Sequence, residues 1–444
     1  MSIMVLSPRK CCALVIACLL ILEGWDFGAA YPRQAALKSN CFEKSTNSRY
    51  QRKGVLASSK DPAEMNDVVR AYFGAQIHDG QFLRDGRALA FAPRRGFRIM
   101  DPEMLPKSCE IVTLKGGTLT PGFVDLQVNG GGGVMFNHAP SVETLRVIAQ
   151  AHRSLGTVAL LPTLITDTPA QTRAAIDAVE KAITEDVPGI IGIHLEGPHL
   201  SVARKGAHDA ALIRPMEAQD LELICDAARR LPNVMVTVAP ENVTTAQISA
   251  MSAAGVIVSL GHTDANFETC ISAFDAGATC VTHLFNAMSQ LSSRSPGLVG
   301  AALAREHVYA GLIADGVHVH ATTIAAALRA KVETQKVFLV SDAMATAGSE
   351  ICSFTLNDRQ VLRKDGRLTL ADGTLAGADL ELTRAIDVMT GDVGEDISRT
   401  ISRATSGPAG LLRQANGLGS FDGRAQMALY FKEGFSKPLQ ILEK

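Results

Sequence analysis

No C-x-x-C pair occurs anywhere in this chain, and its nine cysteines are odd in number and scattered. That pattern points away from a disulfide framework and from a cysteine-built zinc site, and it fits a reducing, cytoplasmic compartment. Blocks of like charge are also missing. The formal net charge is −2 and the pI about 6.6, so neither a nucleic acid nor an anionic membrane is the expected partner, and a small molecule is. A helical H-E-x-x-H is absent too, so any metal site has to be assembled from separate parts of the chain.

Long apolar runs are equally scarce. The stretch Cys11 to Leu22 follows Arg9 and Lys10 and precedes the small residues Gly28-Ala29-Ala30. This is a signal-peptide outline, and it is too short for a membrane span. Residues 31–64 are polar and patternless, and strand-like alternation begins at Val68-Val69-Arg70-Ala71-Tyr72. We therefore expect residues 1–64 to be an extension outside the core, with Met65 as an alternative start of translation. What remains is ample: 444 residues, 47% hydrophobic, can bury one large core and a smaller accessory domain.

Between Val68 and Leu114, short β-type runs are broken by Asp79-Gly80, Asp85-Gly86 and Gly116-Gly117, as in a small antiparallel sheet. The period then changes. Apolar runs recur at Phe123–Val128, Val158–Leu161, Ile190–Leu195, Val234–Val238, Val256–Leu260, Thr279–His283, Tyr309–Ile313 and Val337–Val340, with helix-patterned segments in most gaps. In one gap Ser141 can cap a helix whose face carries Val142, Leu145, Ile148 and Leu155, and Gly156 stops it. Another opens on Thr168-Pro169. Eight such units predict an α/β fold: a TIM-type (β/α)8 barrel over 120–345. Residues 65–119 and 346–444 are expected to form a small β-sandwich domain from both chain ends, with C-terminal helices and return strands. In it the Asp365-Gly366 and Asp372-Gly373 turns and the run Met427–Phe431 would return strands to the first sheet.

Four of the apolar runs lead into chemically loaded residues: Glu196, His262, His283 and Asp342. In a β/α barrel these strand ends all lie at one mouth. One carboxylate and two imidazoles with an open position are a common catalytic set for zinc or a similar divalent ion. Each histidine alone would read as a hydrogen-bonded core or loop residue, and Asp342 alone as a helix cap. Together they favour a metal site, with Asp342 as the base that deprotonates an activated water and the acid that protonates a departing amine.

The motifs Pro121-Gly122-Phe123-Val124-Asp125-Leu126-Gln127-Val128-Asn129-Gly130, His194 to Pro198, Lys205-Gly206-Ala207-His208, Leu260-Gly261-His262, Thr282 to Met288, Arg294-Ser295-Pro296-Gly297, Asp315-Gly316-Val317-His318 and Ser341-Asp342-Ala343 resemble, over roughly residues 68 to 440, the N-acetylglucosamine-6-phosphate deacetylases of the amidohydrolase superfamily. The resemblance implies hydrolysis of the acetamide of N-acetyl-D-glucosamine 6-phosphate in amino-sugar recycling, by a homodimer holding one divalent metal ion per subunit. Zinc is the first expectation for that ion, with Fe, Mn or Co as alternatives. It implies Glu196, His262 and His283 as ligands, Asp342 as general base and acid, and His208 as the group that polarises the acetamide carbonyl. Substrate contacts are implied at Ala207, Asn286, Ala287, Arg294, Asp315, His318, Leu375, Ala376 and Gly377, with Arg294 and His318 on the phosphate and one phosphate contact crossing the dimer interface.

Some positions depart from the pattern. Many superfamily members carry H-x-H on strand one, where this chain has Gln127 and Asn129; amides are poor zinc ligands, which favours a single metal. His199 stands where an apolar or aromatic residue is common, and can add a ligand or fill a loop. Glycines occupy 130–133 where a cysteine often appears. Two other readings stay open: a different single-metal amidohydrolase, such as a cyclic-amide hydrolase or a deaminase, and a barrel retained for binding alone.

Overall fold

All eight apolar runs become strands of one parallel sheet in a computed structural model, which describes residues 67–435 and 439–442. The strands are β1 (Phe123–Val128), β2 (Thr157–Ile165), β3 (Ile193–Glu196), β4 (Val234–Val238), β5 (Ile257–Leu260), β6 (Cys280–Val281), β7 (Tyr309–Leu312) and β8 (Val337–Leu339), each beside its neighbour in sequence. Helices follow them in turn: α1 (Val142–Ser154), α2 (Pro169–Thr184), α3 (Ala218–Arg230), α4 (Thr245–Ala253), α5 (Phe267–Asp275), α6 (Gly297–Ala304), α7 (Ala321–Ala330) and α8 (Leu382–Gly391). Ser141 caps α1 by accepting from the Thr144 amide, and Thr168 caps α2 by accepting from Gln171.

Closure between β1 and β8 is made by other means than a full ladder. Val128 bridges Ala343 in parallel. The Asp125 carboxylate, fully buried within β1, accepts the backbone N–H of Ser341 between its two oxygens, at 3.2 Å to Oδ1 and 3.3 Å to Oδ2. Burial pushes that carboxyl up to about 7. The seam is thus tied just ahead of Asp342.

Both chain ends build the accessory domain, as two five-stranded sheets. One orders Asp422–Ala425, Gly96–Met100, Ala88–Ala92, Arg70–Phe73 and Glu110–Thr113; the other orders Leu439–Leu442, Met427–Phe431, Thr118–Pro121, Gln76–His78 and Leu83–Arg84. Tyr72, Leu89, Phe91 and Phe97 of the first share one apolar cluster with Ile77, Leu119, Ala428 and Tyr430 of the second. The expected antiparallel sheet is in fact mixed, because Arg70–Phe73 runs parallel to Glu110–Thr113 and Gln76–His78 parallel to Thr118–Pro121. Turn residues mark where strands stop and leave open which strand each pairs with.

Two further parts differ from the sequence expectation for 346–444. Ser353–Leu356, Arg359–Lys364 and Arg367–Thr369, with Asp365-Gly366 at their second turn, form a three-stranded sheet of their own. Its apolar face packs with Met135, Ile165 and Met344 at the barrel mouth, so it covers the barrel and does not extend the sandwich. Helix α8 likewise belongs to the barrel, since Leu382, Ala385, Ile386 and Met389 cluster with Phe338 of β8, whose outer face needs a cover. Met427–Phe431 does return to the first strands, pairing antiparallel with Thr118–Pro121. No helix among the described residues is long and apolar enough to cross a membrane. The signal-like segment and the Met65 start lie outside the described residues.

Candidate active site

The ends of β3, β5, β6 and β8 bring Glu196, His262, His283 and Asp342 into one cavity of about 400 Å³, a volume suited to a small-molecule ligand. Backbone geometry helps to aim them. His262, His283 and Asp342 have φ of 47°, 30° and 48°, left-handed values that cost about 1–3 kcal/mol each for side chains with a Cβ. Three such residues at one barrel mouth indicate that the fold holds them there for chemistry.

The Nε2 atoms of His262 and His283 lie 3.1 Å apart, and Glu196 Oε1 lies 3.4 and 3.0 Å from them. Two imidazole nitrogens at that distance need a proton or a cation between them. Ligands at about 2.0–2.1 Å around a tetrahedral zinc stand about 3.4 Å from one another, so these three donors fit one ion. His262 presents the right nitrogen, because its Nδ1 donates to the Arg204 carbonyl at 2.8 Å and leaves the Nε2 lone pair facing the group.

His208 also approaches, its Nε2 3.9 Å from Glu196 Oε2, and Glu196, His208 and His262 together form a cluster of metal-ligating type. Its hydrogen bonds argue for another role. The Thr166 amide donates to His208 Nδ1 at 3.3 Å, and the Thr166 hydroxyl is 2.8 Å from the same nitrogen. Nδ1 is therefore an acceptor, and the neutral ring carries its proton on Nε2. Burial, with the nearby His262, pushes the His208 pKa down to about 3, so the ring stays neutral. His208 enters the site as an N–H donor, whereas a metal ligand needs that lone pair free.

Strand one supplies amides where other barrels supply ligands. Gln127 Nε2 donates to both Glu196 Oε1 and Asp342 Oδ1 at 3.1 Å, and Asn129 Nδ2 donates to Asp342 Oδ1 at 2.7 Å. One carboxylate oxygen of Asp342 is thereby held, and Oδ2 is left for substrate or water. Burial first, and the Glu196 charge second, raise the Asp342 pKa to about 6, a value suited to a base working near neutrality. Beneath this layer His194 is kept neutral by burial, with its pKa pushed down to about 4.

Among the residues implied for substrate, Ala207, Asn286, Ala287, His318, Leu375 and Gly377 line the cavity. Asp315 stands behind His318, accepting from its Nδ1 at 2.6 Å and from the backbone amides of Val317 and His318 at 2.8 Å. Ala376 turns instead into the apolar contact under the covering sheet. Arg294 is exposed in the loop ahead of α6 and does not reach the cavity of its own chain. His199 is buried away from the ligand group, with Nδ1 3.1 Å from the Arg214 carbonyl and Nε2 3.8 Å from Asp220, so it fills a loop. Thr166 and Arg204, which set the tautomers of His208 and His262, carry no motif that sequence reading could have used; Arg204 acts through a carbonyl that every residue possesses.

Residues 118–423 match the model of the Amidohydrolase family. The chain is 48% identical over 303 residues to the N-acetylgalactosamine-6-phosphate deacetylase of Shewanella sp. (strain ANA-3), covering 68% of this chain and 76% of that protein. It is 35% identical over 321 residues to the N-acetylglucosamine-6-phosphate deacetylase of Haemophilus influenzae, covering 72% and 83%. Among solved structures, N-acetylglucosamine-6-phosphate deacetylase from Pasteurella multocida superposes with a TM-score of 0.79 at 33% identity, over 84% of this chain and 98% of that one.

Proposed function

The chain belongs to the amidohydrolase family, and from that premise we propose that it hydrolyses the acetamide of N-acetyl-D-glucosamine 6-phosphate to D-glucosamine 6-phosphate and acetate. The observation that carries the reading is the convergence in one cavity of a three-donor metal group, a carboxylate with one free oxygen and a neutral N–H donor. Glu196, His262 and His283 would hold one divalent cation, zinc first, which when bound acidifies water and polarises the acetamide carbonyl. Asp342 Oδ2 takes the proton of the attacking water and passes it to the amine nitrogen as the C–N bond breaks. His208 Nε2–H points to where negative charge gathers on the carbonyl oxygen. The Asp315–His318 pair offers a charge-assisted contact to the 6-phosphate. We place the enzyme in the cytoplasm, as a homodimer serving amino-sugar recycling.

A second reading concerns the sugar. The 48% identity to an N-acetylgalactosamine-6-phosphate deacetylase favours the galacto epimer as an additional or preferred substrate. Acetate release from both 6-phosphorylated epimers and their unphosphorylated forms, with and without added zinc, tests both readings. Zinc-dependent release from one or both phosphorylated sugars is expected, with kcat/KM at least tenfold above the unphosphorylated forms. Failure on all four sugars in zinc-replete protein would overturn the assignment and return a cyclic-amide hydrolase, a deaminase or a binding barrel to consideration.

A further inference from the structure

Directly beneath the candidate ligands the barrel interior is filled by hydroxyls and one imidazole where aliphatic packing would be usual. His194 Nδ1 lies 3.1 Å from the Leu126 carbonyl, and its Nε2 lies 2.7 Å from Thr237 Oγ1. Thr237 Oγ1 is 2.7 Å from Thr282 Oγ1, which is 2.7 Å from Ser259 Oγ. His194, Thr237, Ser259 and Thr282 are all buried.

Proton counting gives this chain one direction. A carbonyl only accepts, so the neutral His194 carries its hydrogen on Nδ1 and accepts at Nε2 from Thr237. With its single hydrogen spent, Thr237 accepts from Thr282, and Thr282 in turn accepts from Ser259. The chain runs from β5, past the end of β6, through β4 and β3, to β1. At β1 it meets the ladder where the register shifts between Leu160 and Pro162, and Pro162 has no N–H to give.

Its members sit next to the ligands: His194 two residues before Glu196, Thr282 immediately before His283, and Ser259 three residues before His262. Gly261 allows the layer to close, because a Cβ there would lie 2.9 Å from Thr237 Cγ2 and 3.0 Å from Thr282 Cβ. We propose that Ser259, Thr282, Thr237 and His194 form a positioning layer that fixes the ends of β3, β5 and β6, and with them the spacing of the three metal donors. The proposal rests on the metal-ligand reading above and not on the identity of the substrate.

Chelator competition for zinc tests it without any turnover assay. Thr237→Val keeps the volume and cuts the chain, leaving His194 Nε2 without its donor and the Thr282 hydroxyl hydrogen without its acceptor, while the bond from Ser259 to Thr282 stays. Groups bonded directly to metal ligands change affinity by about 10–100-fold; for a layer one step removed, we expect the zinc dissociation constant to rise about threefold or more. Thr237→Ser, which restores the hydroxyl without the methyl, should return it to near the wild-type value. Ser259→Ala, which removes only the first donor, should fall between. Unchanged zinc affinity in folded Thr237→Val overturns the proposal, as does a Thr237→Ser variant weakened equally, since packing would then be the cause. Should Thr237→Val fail to fold, Ser259→Ala decides by the same titration, and wild-type affinity there overturns the proposal. Wild-type protein that binds no zinc brings down the metal reading itself.

Discussion

Asp342 has one oxygen held by two amides and one turned to the cavity, and this division sets what substitution there should do. In Asp342→Asn the side chain still fills the space but cannot take a proton from water. Turnover should drop about 10²–10⁴-fold with bound metal unchanged. Near-normal kcat in a metal-replete Asp342→Asn protein would exclude the role. The same residue fixes an acid limb. The base form is needed, so kcat/KM should fall as pH drops through a pKa of about 6. A cation beside it favours the carboxylate and moves that limb to lower pH. Glu196→Gln and His262→Ala act differently, because they alter two members, 3.4 Å apart, of the proposed metal-binding group. Both should lose metal by elemental analysis, and stoichiometric metal in both would put the site elsewhere.

Strand β1 contributes two amides to the site, and an amide on this strand can donate to carboxylates but is a poor ligand for a second zinc. Purified protein should therefore bind about one ion per chain under limiting metal, and two equally tight ions by titration would contradict the arrangement. Asn129→Leu removes the shorter of the two donations to Asp342. It should lower kcat about tenfold, the effect of one hydrogen bond to a charged group, while leaving metal content intact; an unchanged kcat would mean that Gln127 suffices. Elements of this kind were legible in the sequence where burial on both faces writes a continuous apolar run. Phe123–Val128 and Val234–Val238 match their strands residue for residue. Short strands were overestimated: Thr279–His283 is paired only at Cys280–Val281, because His283 leaves the ladder to reach the cavity. The sequence around Asp365-Gly366 predicts strands of the sandwich and the structure puts them in the covering sheet, since alternation records a half-buried face without recording what buries it. The tautomers of His208 and His262 were beyond reach for a related reason: both are set by groups distant in sequence, a threonine on one loop and a carbonyl on another.

At the scale of the whole molecule, Arg294 raises the question of what completes the site. Its loop is exposed, Leu291 beside it is 55% exposed, and the cavity of its own chain is lined without it. In the proposed two-fold dimer every contact across the axis would be made twice, so a loop that reached the neighbour's cavity would complete both sites. If Arg294 serves the phosphate in this way, Arg294→Ala should reduce kcat/KM for the phosphorylated sugar at least tenfold, the loss of a charge-assisted contact worth about 1.5–3 kcal/mol, and leave the unphosphorylated sugar nearly unaffected. That experiment alone does not say whose arginine acts. Mixed dimers do. An Arg294→Ala chain keeps its own Asp342, and an Asp342→Asn chain keeps its Arg294. Paired through two affinity tags, they give one complete site per dimer if the contact crosses the interface, and activity should recover to about half that of wild type. If Arg294 works within its own chain, no site in the mixed dimer is complete and activity falls to about half that of Arg294→Ala, because the second site carries Asp342→Asn. Recovery would make the dimer a requirement of the chemistry, because each cavity would then borrow its phosphate contact from the other chain.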